Sequence, residues 1–339
     1  MNVARPRAVP LIARAGAVVL IAALGATCVH RPPVVANEVR GHGTDVAAHI
    51  RLGMSDGGIV RVPLEDYTVG SVLAELPLAR EVRAAAGRMA MVQTILARTY
   101  ALANLERHAT EGFDLCATTH CQVFRPAADA PSPLRALVER AARDTRGLVV
   151  TYEGRLVQAL FHADCGGATS SADSVWGGPA PPYLRGVDDA FCVMRPATPW
   201  RHTATASLVR QALNRDPRTR VGTRFVGVEV VDRDSAGRAV RVRLRGDRTT
   251  DVRAEVFRAV LTASFGPRAI KSTRFEVERD HETFVFSGTG HGHGVGACQV
   301  GVMARARTGH DPARILAHYY PGTRLNRLSA LRRPVVIAN

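Results

Sequence analysis

Residues 64–77 read LEDYTVGSVLAELP and residues 84–102 read AAAGRMAMVQTILARTYAL. Together they decide what kind of fold the chain builds. In the first stretch Val69, Val72, Leu73 and Leu76 recur at helical spacing. Pro63 opens the helix, Glu65 and Asp66 complement the dipole at its start, and Pro77 stops it. The second stretch predicts a helix from about residue 80 to 105. Val82, Met89 and Leu96 share a face, with Ala85 and Val92 beside them. Its many alanines permit close approach of neighbours, so it reads as a buried central helix.

Outward from these helices the pattern mixes. A short strand covers 59–62, a third helix 132–146, and a hairpin around Glu153-Gly154 joins strands at 147–152 and 156–162. Residues 166–200 read as a Gly/Pro/Ser-rich loop. From 201 to 285 the character turns β-rich. Val226, Val228 and Val230 alternate before a turn at 234–237, and Val240, Val242 and Leu244 alternate with arginines after it. Helices are expected over 251–263, 300–307 and 312–318, and strands over 274–277 and 283–286. The fold class expected is α+β, a helical core around a groove with a β-rich insert at about 201–285. The main domain runs from 49 to 330.

The chain has 339 residues, 46% hydrophobic and 22% charged, with a net charge of +15. That composition excludes a disordered chain, a coiled coil, a collagen and a polytopic membrane protein. The positive charge is almost all arginine, and the arginines are scattered without a nucleic-acid motif. No nucleic-acid partner is therefore expected. A carboxylate-bearing polymer or a membrane surface suits the charge better.

Residues 1–30 carry a basic start, an apolar run from Ala15 to Ala26, and Cys28. They read as a secretory signal. Attachment to a membrane through this N-terminus, by lipid on Cys28 or by an uncleaved apolar segment, is the alternative to plain cleavage. Residues 31–48 read as a linker. The protein is expected to be exported to the cell envelope or periplasm, where disulfides are permitted. Cys165 and Cys192 flank the 166–191 loop, and a disulfide between them would pin it. Five cysteines follow Cys28, so at least one has no disulfide partner within the chain.

Four features carry chemistry. Glu75 lies in the last turn of the first helix, where the dipole and partial burial both favour a protonated carboxyl, as a general acid requires. Arg98 in the alanine-rich helix either pairs with an acid or faces a cleft. Cys116, His120 and Cys121 put three soft ligands within six residues, a set that suits zinc or a local disulfide. His291-Gly292-His293-Gly294-Val295-Gly296 places two histidines among glycines, where side chains and bare amides can face a ligand together. It is no phosphate loop, and neither a metalloprotease HExxH nor a GxSxG elbow is present.

The order of these features says more than each alone. LEDYTVGSVLAELP, the alanine-rich helix, THCQVF at 119–124, CGGATSSADSVWGGPAPPYLRGV at 165–187, FSGTGHGHGVGACQVGVMARA at 286–306 and ILAHYYPGT at 315–323 follow one another. In that order they resemble the stage II sporulation protein D (SpoIID/LytB) family over roughly residues 50–325. The resemblance implies an exported protein acting on peptidoglycan, with a glycan groove at the helical core. It implies a lytic transglycosylase that cleaves between N-acetylmuramic acid and N-acetylglucosamine in peptide-stripped strands and leaves 1,6-anhydro ends. The alternative is a non-catalytic enhancer of a wall amidase, which would make that amidase a partner.

By the same resemblance Glu75 is the catalytic acid. The family's histidine and glutamine in the glycine loop match His293 and Gln299. Arg98, Tyr100, Gln122, His293 and Gln299 are the expected substrate-binding residues. The reaction requires no cofactor, and zinc at Cys116, His120 and Cys121 is the metal some members carry near the acid. The loop departs from the family pattern. His291 replaces an aromatic, the arginine expected near Thr289 is absent, and Cys298 and Val300 stand for serine and tryptophan.

Overall fold

The computed structural model describes residues 49–76, 83–194 and 199–330. The export signal, Cys28, the linker and Pro77 lie outside them. Among the described residues no helix is long and apolar enough to cross a membrane. Among the described residues nine α-helices and fourteen strands, the strands grouped in several small sheets, make a mixed α+β fold.

Two hydrophobic cores divide the chain. The first is built on α2 (Arg83–Ala103), which is buried along nearly its whole length. Around it pack α1 (Leu64–Glu75), α3 (Ser132–Asp144), α8 (Gln299–Arg307) and α9 (Pro312–Tyr319). Small residues at 84–86, 90, 97, 101 and 103 let these neighbours approach. Each fully buried Val, Ile or Leu, such as Val72, Ile95 and Leu96, contributes about 1.5–3 kcal/mol. Helix α1 stops where Leu76 turns extended, with φ −112° and ψ 120°, the conformation a following proline imposes.

Three short sheets edge this core. Strand β1 (His49–Gly53) pairs antiparallel with β2 (Ile59–Pro63) and parallel with β3 (Leu115–Cys116), so Leu52 faces both Val60 and Leu115. Strand β4 (Leu148–Tyr152) lies between β5 (Arg155–Leu156) and β14 (Arg324–Arg327). The expected second arm of the hairpin at 156–162 breaks after Leu156. Its end, β6 (Phe161–His162), leaves the hairpin to pair parallel with β13 (Ala297–Cys298), setting Cys298 opposite His162. The sequence pattern showed continued apolarity there, but not the change of partner. Two short helices, α4 (Ala172–Trp176) and α5 (Ala190–Val193), interrupt the segment read as loop.

The second core lies in the insert. Strand β7 (Trp200–Thr205) enters it and joins β12 (Thr283–Gly288) and β11 (Phe275–Asp280) in one antiparallel sheet. Strands β8 (Phe225–Arg233), β9 (Ala239–Gly246) and β10 (Thr249–Arg253) form the other. Helices α6 (Ala206–Asn214) and α7 (Ala254–Phe265) cover Phe225, Val242, Leu244, Phe257, Phe275 and Phe286. The helix expected at 251 begins only at Ala254, because residues 249–253 complete the β9 hairpin. Helix α6, capped by the Thr205 hydroxyl accepting from Leu208 N, was not foreseen.

Candidate functional site

Glu75 closes α1, and its Oε1 accepts a 3.1 Å hydrogen bond from the backbone N–H of Val123. Gly70 makes that approach possible. A Cβ there would lie 2.4 Å from the Phe124 ring and 2.5 Å from the Arg125 carbonyl, so only glycine lets segment 122–125 lie on the helix. Phe124 stacks on Tyr67 at 5.8 Å, and the Tyr67 hydroxyl donates to Gln122 Oε1 at 3.2 Å. Glu75 is half-buried. Burial raises its carboxyl above the usual range, and the Val123 N–H offsets part of that rise.

The same segment carries the sulfur and imidazole ligands. His108, Cys116, His120 and Cys121 present donor atoms that all lie within 4.8 Å of one another. His120 Nδ1 lies 3.6 Å from Cys116 Sγ and 3.8 Å from Cys121 Sγ, and His108 Nε2 lies 3.4 Å from Cys121 Sγ. Hydrogen bonds from Cys121, His120 and Thr118 hold the Cys116 thiol far below its ordinary value. The Cys121 thiol is pushed up by Cys116 and by burial. Two cysteines and two histidines at this spacing suit a tetrahedral zinc ion. Glu111 Oε1 sits 2.6 Å from His108 Nδ1, which fixes the ring with Nε2 toward the sulfurs in the manner of a metal-bound histidine. His108 was missed from sequence because it lies eight residues before Cys116. The Glu111 three residues beyond it was the available signal.

Tyr100 is buried, and burial pushes its phenol up. Gln122 is also buried, with Nε2 lacking a partner. Both side chains are almost wholly buried.

Arg98 corrects its expected role. It is 0% exposed. Its Nε and Nη2 bind both oxygens of Glu65 at 2.9 and 2.7 Å, and its remaining donors meet the carbonyls of Ala142, Thr145 and Leu148. All five N–H groups of the guanidinium are used. Arg98 is a structural ion pair joining α1 to the α3–β4 turn and has no donor left for a glycan carboxylate.

The glycine loop forms a second group. Gly296 has φ 71°, and a Cβ there would fall 2.0 Å from the Leu160 carbonyl, which fixes glycine where the loop enters β13. His293 is half-buried, and its Nδ1 accepts from Val295 N at 3.1 Å, placing the neutral ring's proton on Nε2. Its ring lies 5.2 Å from Trp176 and 5.6 Å from His162. His162 pairs Nδ1 with the Val295 carbonyl at 3.1 Å. Burial is the largest cause that pushes it well down, so it is neutral. His162 Nε2, Trp176 Nε1 and Gln299 Nε2 are all buried without a hydrogen-bond partner. Such a concentration of unmet polar atoms is costly in a core and suits a polar ligand. Neither His162 nor Trp176 was picked out from sequence.

Arg238, from the insert, holds this loop in place. It is 1% exposed and donates to the carbonyls of Gly292, Asp164 and Cys165. The expected Cys165–Cys192 disulfide is not formed. Both are free thiols, and Cys298 joins them, its Sγ 3.7 Å from that of Cys192. Glu75 contacts the Val123 segment, whereas His293 contacts Trp176, His162 and Val295, so sequence order alone did not reveal this division. A cleft of about 990 Å³ opens between α2 and α3, lined by Arg83, Leu134, Leu137 and Arg140. Neither Glu75 nor His293 lines it.

Comparison with known proteins agrees with this architecture. Residues 56–152, which contain Glu75 and the Cys/His cluster, match the family described as stage II sporulation protein. Residues 193–296, the insert and the glycine loop, match a domain of unknown function, DUF8618. An uncharacterized protein of Brachyspira hyodysenteriae is 29% identical over 253 residues, 73% of this chain and 64% of its own length. The chain thus spans less than two thirds of that relative. Stage II sporulation protein D of Bacillus subtilis is 24% identical over 286 residues, 80% of this chain and 77% of that protein. The amidase enhancer of Bacillus subtilis is 24% identical over 277 residues, 69% of this chain but 37% of its own length.

Proposed function

Residues 56–152 match the SpoIID family, and from that premise we propose that the chain acts in the cell envelope on peptidoglycan, as a lytic transglycosylase with Glu75 as its acid and base. The observation that carries this reading is the placement of Glu75. It is a half-buried carboxyl with a raised pKa, fixed through Oε1 by the Val123 N–H. With Oε1 occupied, Oε2 holds the proton.

The chemistry needs only one carboxyl. Oε2 gives its proton to the glycosidic oxygen between muramic acid and glucosamine as the C1–O bond breaks. The resulting carboxylate takes the proton of the muramyl C6 hydroxyl, whose oxygen bonds to C1 of the same ring. Glu75 ends protonated as it began, and no water is consumed. A hydrolysing glycosidase would commonly require a second carboxylate to activate water or attack C1. Because the nucleophile belongs to the reacting sugar, positioning replaces that residue. His293, Gln299 and Trp176 would hold hydroxyl-rich sugar at the glycine loop. Zinc at His108, Cys116, His120 and Cys121 would hold the Val123 segment against Glu75 and take no part in bond cleavage.

The experiment is to incubate peptide-free glycan strands with the wild-type chain and with Glu75→Gln, and to detect 1,6-anhydro products by mass spectrometry. A second reading, supported by the similarity to an amidase enhancer, is a non-catalytic wall-binding protein that stimulates a partner amidase. That reading gains if the wild type releases no anhydro product yet accelerates an amidase.

A further inference from the structure

Away from the Glu75 site, three cysteines and an aspartate meet in the first core. Cys165, Cys192, Cys298 and Asp189 are all buried, and their donor atoms lie within 4.8 Å of one another. We propose that these four residues form a second, structural metal site, and that the ion is zinc.

The spacing is that of a metal–thiolate tetrahedron. Zinc binds thiolate at about 2.3 Å, so two sulfurs on one ion stand about 3.8 Å apart. The Cys192 and Cys298 sulfurs are 3.7 Å apart. A disulfide would join two of the three thiols and strand the third in an apolar core.

The surroundings are arranged for thiolates. Cys298 Sγ accepts from Cys165 N at 3.2 Å and from Gly301 N at 3.4 Å, at the N-terminus of α8, and Cys165 Sγ accepts from Gly167 N at 3.4 Å. Asp189 is oriented by Tyr319, whose hydroxyl donates to Oδ2 at 2.6 Å, and by Arg305, whose Nη2 donates to Oδ1 at 3.3 Å. Hydrogen-bonded carboxylate ligands of this kind are the usual second layer of a metal site.

Cationic groups stand beside the cluster to offset its negative charge. Three thiolates and a carboxylate carry four negative charges. A divalent ion supplies two positive charges, and Arg305 and the buried Arg238 beside Cys165 supply one each. Asp164 adds a second, partly buried carboxylate at the edge of the cluster, its Oδ1 3.3 Å from Cys192 Sγ. All four ligands are buried, which marks a closed structural site rather than a catalytic one. The ion would tie together segments 164–167, 189–192 and 297–301. It would thereby fasten the glycine loop and the short helix α5 to the core. Binding releases the protons of the three thiols.

The test uses the full chain, purified without chelators. Zinc content is measured for the wild type and for the Cys116→Ser/Cys121→Ser variant, which lacks only the first cluster's sulfurs. The variant should keep one equivalent of zinc. Loaded with Co²⁺ in place of zinc, it should show thiolate-to-cobalt charge-transfer absorption. In the wild type, which needs no substitution to fold, Cys165, Cys192 and Cys298 should resist alkylation until a chelator is added. A disulfide among the three in a non-reducing peptide map, free alkylation in the zinc-loaded wild type, or a folded variant without metal would overturn the proposal.

Discussion

The backbone N–H of Val123 donates to Oε1 of Glu75 at 3.1 Å, across 48 positions of sequence. This bond ties the end of α1 to the segment that begins with Cys116, His120 and Cys121. The acid and the soft-ligand cluster are therefore one assembly, and changes on either side should be felt on the other.

Glu75 titrates high because burial disfavours its charge. A folded-state pKa above the unfolded one means that this group's contribution to stability is fully present below the ordinary carboxylate range. The contribution is lost as pH rises through the raised value. Glu75→Gln cannot ionise, so its thermal midpoint relative to wild type should be higher at alkaline pH than at acidic pH. Paired thermal melts across that range test the sign. An equal difference at every pH would show that Glu75 is not perturbed. Anhydro-product release should likewise fall on the alkaline side as the acid loses its proton.

Glu111 orients His108 toward Cys121. Glu111→Ala should weaken zinc at the first cluster by about 10–100-fold, the usual cost of removing such a support. Competition against a chromophoric chelator measures it. For a clean result the assay is run with the Cys165, Cys192 and Cys298 site already zinc-loaded. Unchanged affinity would mean that His108 is not a ligand.

Arg98 joins Glu65 and three carbonyls in a closed arrangement. Arg98→Ala leaves the carboxylate and the carbonyls without their donor. Breaking a buried pair in this way costs about 3–5 kcal/mol. Denaturant unfolding should show that loss. Arg98→Lys should recover only part of it, since an ammonium cannot reproduce the planar fork. Full stability in Arg98→Ala would contradict the structural role.

Gly70→Ala places a methyl group against Phe124 and the Arg125 carbonyl. Alanine gains helix propensity, but overpacking of this kind costs about 1–3 kcal/mol. The segment carrying Val123 should shift from Glu75, so product release should fall by more than unfolding explains. Activity assayed well below the unfolding midpoint separates the two effects.

Much of both cores was legible because hydrophobic periodicity and proline punctuation are local. Helix α1 and its end at Glu75, the alanine-rich α2, the 225–246 hairpin and the two closing helices all follow from neighbouring residues. What escaped depends on partners distant in sequence. Phe161 and His162 looked like a hairpin arm but pair with Ala297 and Cys298. Arg98 was open between an ion pair and a cleft-facing role, and only the fold supplies Glu65 as its partner. Cys298 had no partner in sequence, and only the fold brings it to Cys165 and Cys192. His108 lay too far from Cys116 for spacing to reveal it. Glu75 itself was legible because the end of its helix, its apolar neighbours and its charge are all written in one stretch.

The central claim is that Glu75 alone supplies acid and base, and its most direct test is the rate of 1,6-anhydro product release from peptide-free glycan strands. General acid–base catalysis typically contributes about 10²–10⁴-fold, and one residue serving both steps places the loss in Glu75→Gln near the upper end. Strand binding should persist in the variant, because glutamine keeps the shape and hydrogen bonds of the side chain. Release by Glu75→Gln at the wild-type rate would contradict the account.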